Sequence, residues 1–228
     1  VRNPQFLFYS PSLKEFTFLI HPLPFSPKHT FAVPIHLPQD QLDIGFLFRY
    51  PACLPVKLQS WMHRKRTWRL LGTRFATVQD ELFLGIYKER LTPASLPHEI
   101  GIPVPFMHLY ETNPLTWQFR LYSAILKPIQ PGASIYRRDW QSFLIQSIQK
   151  GRIVLRSLPL QPALNPFLPI EQYLLVLAKL ELLYKVSEEE FRVLKEMQPL
   201  TDHSDAGERF YKDLHAVYTE LMKTGEWS

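Results

Sequence analysis

Apolar and polar positions alternate along 14–20, where Phe16, Phe18 and Ile20 fall on one side and Glu15 and Thr17 on the other. A period of two predicts a half-buried strand. Short apolar runs at 5–9, 30–35 and 42–48 predict further strands. Pro34 places the second of these at a sheet edge or a bulge, and Gly45 suggests a bend in the third. The segment 21–27, HPLPFSP, reads as a turn or extended connector. The run 82–87 reads as a buried strand. The run 115–121 alternates, with Trp117, Phe119 and Leu121 facing one way and Gln118 and Arg120 the other. Between them, Pro93, Pro97, Pro103, Pro105 and Pro114 argue against a long helix, so that 92–114 is either functional or a misread strand pair.

The period lengthens after Pro131. Trp140, Phe143, Leu144 and Ile148 stand at offsets zero, three, four and eight, the spacing of one helical face. Asp139 is expected to cap that helix and Gly151 to end it, with a short strand at 153–158. A helix over 170–186 is apolar around most of its circumference. Ser187 and Glu190 have capping-box spacing, which predicts a second helix to 198 with Phe191, Leu194 and Met197 inward and Pro199 as its stop. A third, about 205–223, carries the stripe Phe210, Leu214, Val217 and Leu221. Asp205 and Glu208 at its start and Lys223 at its end suit the helix dipole.

Strands first and helices later predict an α+β fold, with an N-terminal, mainly antiparallel β region packed against a C-terminal helical layer. The 228 residues are expected to form a single domain, β-rich over 1–130 and mainly helical over 131–228. Sixteen Phe, ten Tyr and five Trp supply ample surface for a core.

Charge adds little by itself. Lys and Arg exceed Asp and Glu by 26 to 21, a modest excess. Its distribution adds more, because 57–74 holds Lys57, Arg64, Lys65, Arg66, Arg69 and Arg74 with no acidic residue, interleaved with Trp61 and Trp68. Cations meet phosphates and indoles stack on bases, so these eight residues are a candidate nucleic-acid-binding site. The competing reading buries the tryptophans and lets the long basic chains reach outward along them. Arg137 and Arg138 form a smaller basic pair.

Cys53 is the lone cysteine, which excludes an intrachain disulfide and a cysteine-rich zinc site. No glycine-rich phosphate loop, HExxH or GxSxG occurs. His21, His29 and His36, with Asp40 or Asp43, and the pair His98–Glu99 are the candidate acid–base groups, but their spacing matches no standard signature. No catalytic residue, metal site or cofactor is assigned.

Three functions follow. The first is a non-catalytic macromolecular interaction or assembly protein with a protein partner or as a homo-oligomer. The second is RNA or DNA binding through 57–74, and the third an enzyme with a non-linear His/carboxylate site. No run of eighteen apolar residues predicts a transmembrane segment. The cysteine usage predicts an intracellular, cytoplasmic protein, while Val1 in place of Met leaves room for a removed targeting segment.

Overall fold

Prolines decide where the first sheet bends. The computed structural model describes residues 6–26, 29–38, 61–63, 65–69, 81–155, 165–200 and 205–224. Strands β1 (Phe6–Ser10), β2 (Glu15–Ser26) and β3 (His29–Pro38) form an antiparallel sheet in that order. The strand expected at 14–20 is present from Glu15 onward and pairs on both sides: Phe8 opposes Thr17, and Phe18 opposes Ile35. The expected connector at 21–27 is instead strand as far as Ser26, with register shifts between Ile20 and Leu23 and between Pro24 and Ser26. A residue without an N–H is tolerated at such irregularities, and Pro34 lies on β3, an edge strand of this sheet. The strand expected at 42–48 lies outside the described residues.

Two expected strands are helices. Residues 82–87 belong to α1 (Glu81–Lys88), which buries Leu82, Phe83 and Ile86. Glu81 in its first turn and Lys88 in its last favour the helix dipole. Residues 115–121 belong to α2 (Pro114–Leu121), which continues into a π-helical turn at Tyr122–Leu126. Asn113 caps it, its side chain accepting the Thr116 N–H at 2.8 Å, and Pro114 occupies the first turn, where its missing N–H costs nothing. Alternation misleads here because α2 is buried nearly all round: Leu115, Trp117, Gln118, Phe119 and Leu121 are all internal.

The proline-rich 92–114 stretch is ordered. Leu96, Ile100, Ile102, Val104, Met107 and Tyr110 are buried, and Met107–Leu109 forms one 3-10 turn. Beyond it, β4 (Ser134–Tyr136) leads into α3 (Arg137–Gln149), which buries Trp140 and Leu144 as its spacing predicts. Tyr136, not Asp139, is the capping position. Asp139 lies in the first turn, and its carboxylate accepts the Tyr136 N–H at 2.8 Å. Gly151, at φ 64°, closes the helix. The strand expected at 153–158 reduces to a bridge between Leu155 and Tyr110, with 156–158 outside the described residues.

The expected helices 170–186 and 187–198 are replaced by α4 (Leu168–Lys179) and a hairpin of β5 (Leu183–Ser187) and β6 (Glu190–Val193). Ser187 opens no helix. Its hydroxyl accepts the Glu189 N–H at 3.1 Å inside the hairpin turn, while Glu190 receives a hydrogen bond from Ser134 Oγ at 2.6 Å. The three strands order as β4-β6-β5, all antiparallel. The last helix, α5 (Asp205–Thr224), buries Leu214, Val217 and Leu221 as expected. The fold is therefore mixed α+β with antiparallel sheets. Its core centres on Trp61, Trp117, Trp140 and Tyr173, and Trp117 meets both Tyr110 and Tyr173 edge-on at 5.6 and 5.5 Å. Among the described residues, no helix is long and apolar enough to cross a membrane.

Candidate functional site

The basic aromatic segment is helical at 61–63 and 65–69. A helix places residues four apart on one side, so Trp61, Lys65, Trp68 and Arg69 share a face. That face is internal: all four are at most 7% exposed. Trp61 Nε1 donates to the Gly101 carbonyl at 2.9 Å, and the Lys65 ammonium donates to the His98 carbonyl. Arg69 spends its guanidinium on the same loop. It donates to the carbonyls of Ala94 and Leu96, each at 2.6 Å, to that of Pro93 at 3.4 Å, and to His98 Nδ1 at 3.0 Å. Thus three residues of the segment pin loop 93–101 through its backbone carbonyls. Arg66 is exposed, and Lys57, Arg64 and Arg74 lie outside the described residues. Arg137 is committed to Glu171 and Glu189 at 2.9 and 2.7 Å, and Arg138 lies over the Tyr136 ring.

The pair His98–Glu99 belongs to this cluster. Burial, then the positive Arg69 and Lys65, pulls His98 down to about 3, so its imidazole is neutral and Nδ1 accepts from Arg69. Burial lowers Lys65 and raises Glu99. The ring of His98 stacks on Phe210 at 5.3 Å and meets Tyr211 edge-on, both from α5. Gly207 permits this approach, since a Cβ there would stand 3.2 Å from His98 Cε1. The cluster joins three segments, Lys65 and Arg69 binding loop 93–101 through charged donors and His98 binding α5 through ring contacts. Of the other histidine candidates, His21 falls on β2 and His29 and His36 on β3, while Asp40 and Asp43 lie outside the described residues. Among the described residues, no three His, Cys, Asp or Glu side chains gather in a metal-holding group.

A set of accessible basic residues lies elsewhere among the described residues. Helices α1, α2 and α3 and the turn after α3 enclose a half-open groove of about 480 Å³. Its cations are Lys88, Arg120, Lys150 and Arg152, and its carboxylate is Glu81. Arg120 is held by Glu81 at 2.6 Å and by the Arg152 carbonyl, which fixes its position in the groove. Lys88, Lys150 and Arg152 are exposed. The floor is Phe119, with Leu84, Phe143 and Ala124 beside it. Gly85 makes that floor tight, because a Cβ there would lie 2.9 Å from Phe119 Cε1. Sequence reasoning missed these cations because they stand far apart in the chain. The available signal was the basic residue at the end of α1 and the pair flanking Gly151.

A segment of the chain covering residues 56–206 matches the model of the C-terminal domain of competence protein CoiA. The chain belongs to this family. Competence protein CoiA of Bacillus subtilis (strain 168) is 27% identical over 120 residues, which cover 52% of this chain and 32% of that protein. The chain thus matches about a third of the length of this curated relative. No solved structure matches. The CoiA-matching segment contains the Lys65–Arg69–His98 cluster and every groove residue named above. The sheet β1–β3 precedes it, and nearly all of α5 follows it.

Proposed function

We propose that this chain is a macromolecular interaction module of a competence protein, and that its working surface is the groove between α1, α2 and α3. The observation that supports this reading is the lining: four cations against one carboxylate, set over an apolar floor. Such a surface attracts a polyanion at long range and rewards close contact with apolar burial. In this reading the segment 57–74 is scaffold, in keeping with the burial of Trp61, Lys65, Trp68 and Arg69. Competence concerns DNA uptake, which agrees with a polyanionic partner.

Retention on immobilised heparin tests the proposal. Lys88→Glu/Lys150→Glu should elute at clearly lower salt than the parent. Reversing an equal charge on α5, Arg209→Glu/Lys212→Glu, should move elution less, because both side chains are exposed away from the groove lining. Equal shifts from the two pairs would mean that net charge alone governs binding, and the groove reading would fall.

A further inference from the structure

Resting on that reading, we infer that the groove takes single-stranded nucleic acid, with its phosphates on the cationic rim and a base against the apolar floor. Three features of the lining carry this. Lys88 lies on one wall, while Lys150 and Arg152 lie on the turn after α3, so positive charge borders the groove from separate elements. Phosphates spaced along one strand can meet such a rim in succession. Lining the same groove as the cations are Phe143, half-buried, and Leu84, 45% exposed. An unstacked base has a planar apolar face to lay on them, whereas the carboxylates of an acidic peptide ride on short flexible chains and bring no such face. Gln146 also lines the groove, and its exposed amide offers hydrogen bonds of both polarities to a base edge.

The recessed shape separates single strands from duplex. A groove of about 480 Å³ admits an extruded base and its sugar, but a paired base is held inside its own stack. Duplex DNA would reach only the rim. Glu81 sets an internal limit on affinity, since it neutralises Arg120 and repels phosphate. Removing that charge frees a guanidinium already held in place by the Arg152 carbonyl.

Fluorescence anisotropy of labelled oligo(dT) with the 228-residue chain tests the inference. The triple variant Lys88→Ala/Lys150→Ala/Arg152→Ala alters exposed side chains, so its circular dichroism should match the parent. It should weaken oligo(dT) binding by roughly tenfold or more and reduce the salt slope by about 2, at ~0.7 per lost contact for three contacts. Glu81→Gln should tighten binding. Phe143→Leu, which keeps apolar volume but removes the ring, should weaken it by roughly fivefold or more. Unlabelled oligo(dT) should compete better than the duplex or poly-glutamate. Equal oligo(dT) binding by the parent and the triple variant would overturn the inference. So would groove-dependent binding of poly-glutamate or duplex in preference to oligo(dT). If heparin retention depended on Lys88 and Lys150 while oligo(dT) failed to bind, the polyanion reading would stand and the single-strand inference alone would fall.

Discussion

Gln118 lies inside α2 with no exposed surface, and it closes the backbone of the neighbouring loop. Its Oε1 accepts the N–H groups of Gly101 at 2.7 Å and Ile102 at 3.0 Å, while its Nε2 donates to the Ile102 carbonyl at 2.7 Å. The side chain thus does for this loop what a neighbouring strand would do. Gly101 needs that external support. Its φ of +80° turns the chain sharply, and a Cβ there would meet Leu115 Cδ1 at 2.7 Å. Gln118→Met keeps the length and the helix propensity but removes all three hydrogen bonds. Two N–H groups and a carbonyl are then left buried, at about 1–3 kcal/mol each. Because the three share one loop and can relax together, the expected total is about 3–6 kcal/mol. Gln146→Met, on the exposed face of α3, is the matched control and should change stability by no more than about 0.5 kcal/mol. Urea denaturation of both variants measures the difference. Gln118→Met within about 1 kcal/mol of the parent would refute the argument that this side chain completes the loop.

Arg69→Met should destabilise by about 3 kcal/mol or more, since it strips the loop acceptors of charged donors, whereas exposed Arg66→Met should cost no more than about 0.5 kcal/mol; thermal unfolding of the pair checks the order. Leu177→Ala should cost about 2–5 kcal/mol because Leu177 is fully buried in α4, and Ser187→Ala less than about 1 kcal/mol because its one turn hydrogen bond is exposed, as urea melts would read. His98 is depressed to about 3 in the folded chain, so the unfolded chain binds its proton first as the pH falls. Its contribution to stability is present above the ordinary histidine range and is lost between about 6.5 and 3. His98→Gln, which keeps an acceptor for Arg69, should flatten that part of the stability–pH curve.

Where the sequence was legible, one face was buried and the other wet. The stripe of α5 and the offsets of Trp140, Phe143, Leu144 and Ile148 on α3 follow from that asymmetry. The period of two at 14–20 likewise marked a strand, which the first sheet contains from Glu15 onward. The pattern failed where burial is nearly complete. In α2, Gln118 is as buried as its apolar neighbours, so its apparent polar face is no face at all. Ser187 and Glu190 have capping-box spacing, but the same spacing suits a hairpin whose turn is Glu188 and Glu189. Serine, glutamate and the β-branched Val186 fit both, and the cross-strand partner β4 lies some fifty residues away, beyond any local window.

Misreading α1 and α2 as strands also hid the groove. A strand at 82–87 would send Leu84 and Lys88 to the same side as Leu82 and Ile86. In the helix, Leu82, Phe83 and Ile86 turn inward, while Leu84 and Lys88, four apart, rise together at the groove. The same change of period brings Arg120 beside Glu81. Conversely, the densest basic run in the chain drew attention to 57–74, yet its alternation with tryptophan is what carries Lys65 and Arg69 into the interior. A cation four residues from a buried indole on a helix is carried inward with it, and loop 93–101 supplies the carbonyls that make its burial tolerable. Charge density along a sequence therefore locates cations without saying which way they face. In this chain the helical period sets Lys88 beside Leu84 on α1, and the turn closed by Gly151 sets Lys150 and Arg152 across from them, so that exposed cations unremarkable in their local sequence line one groove.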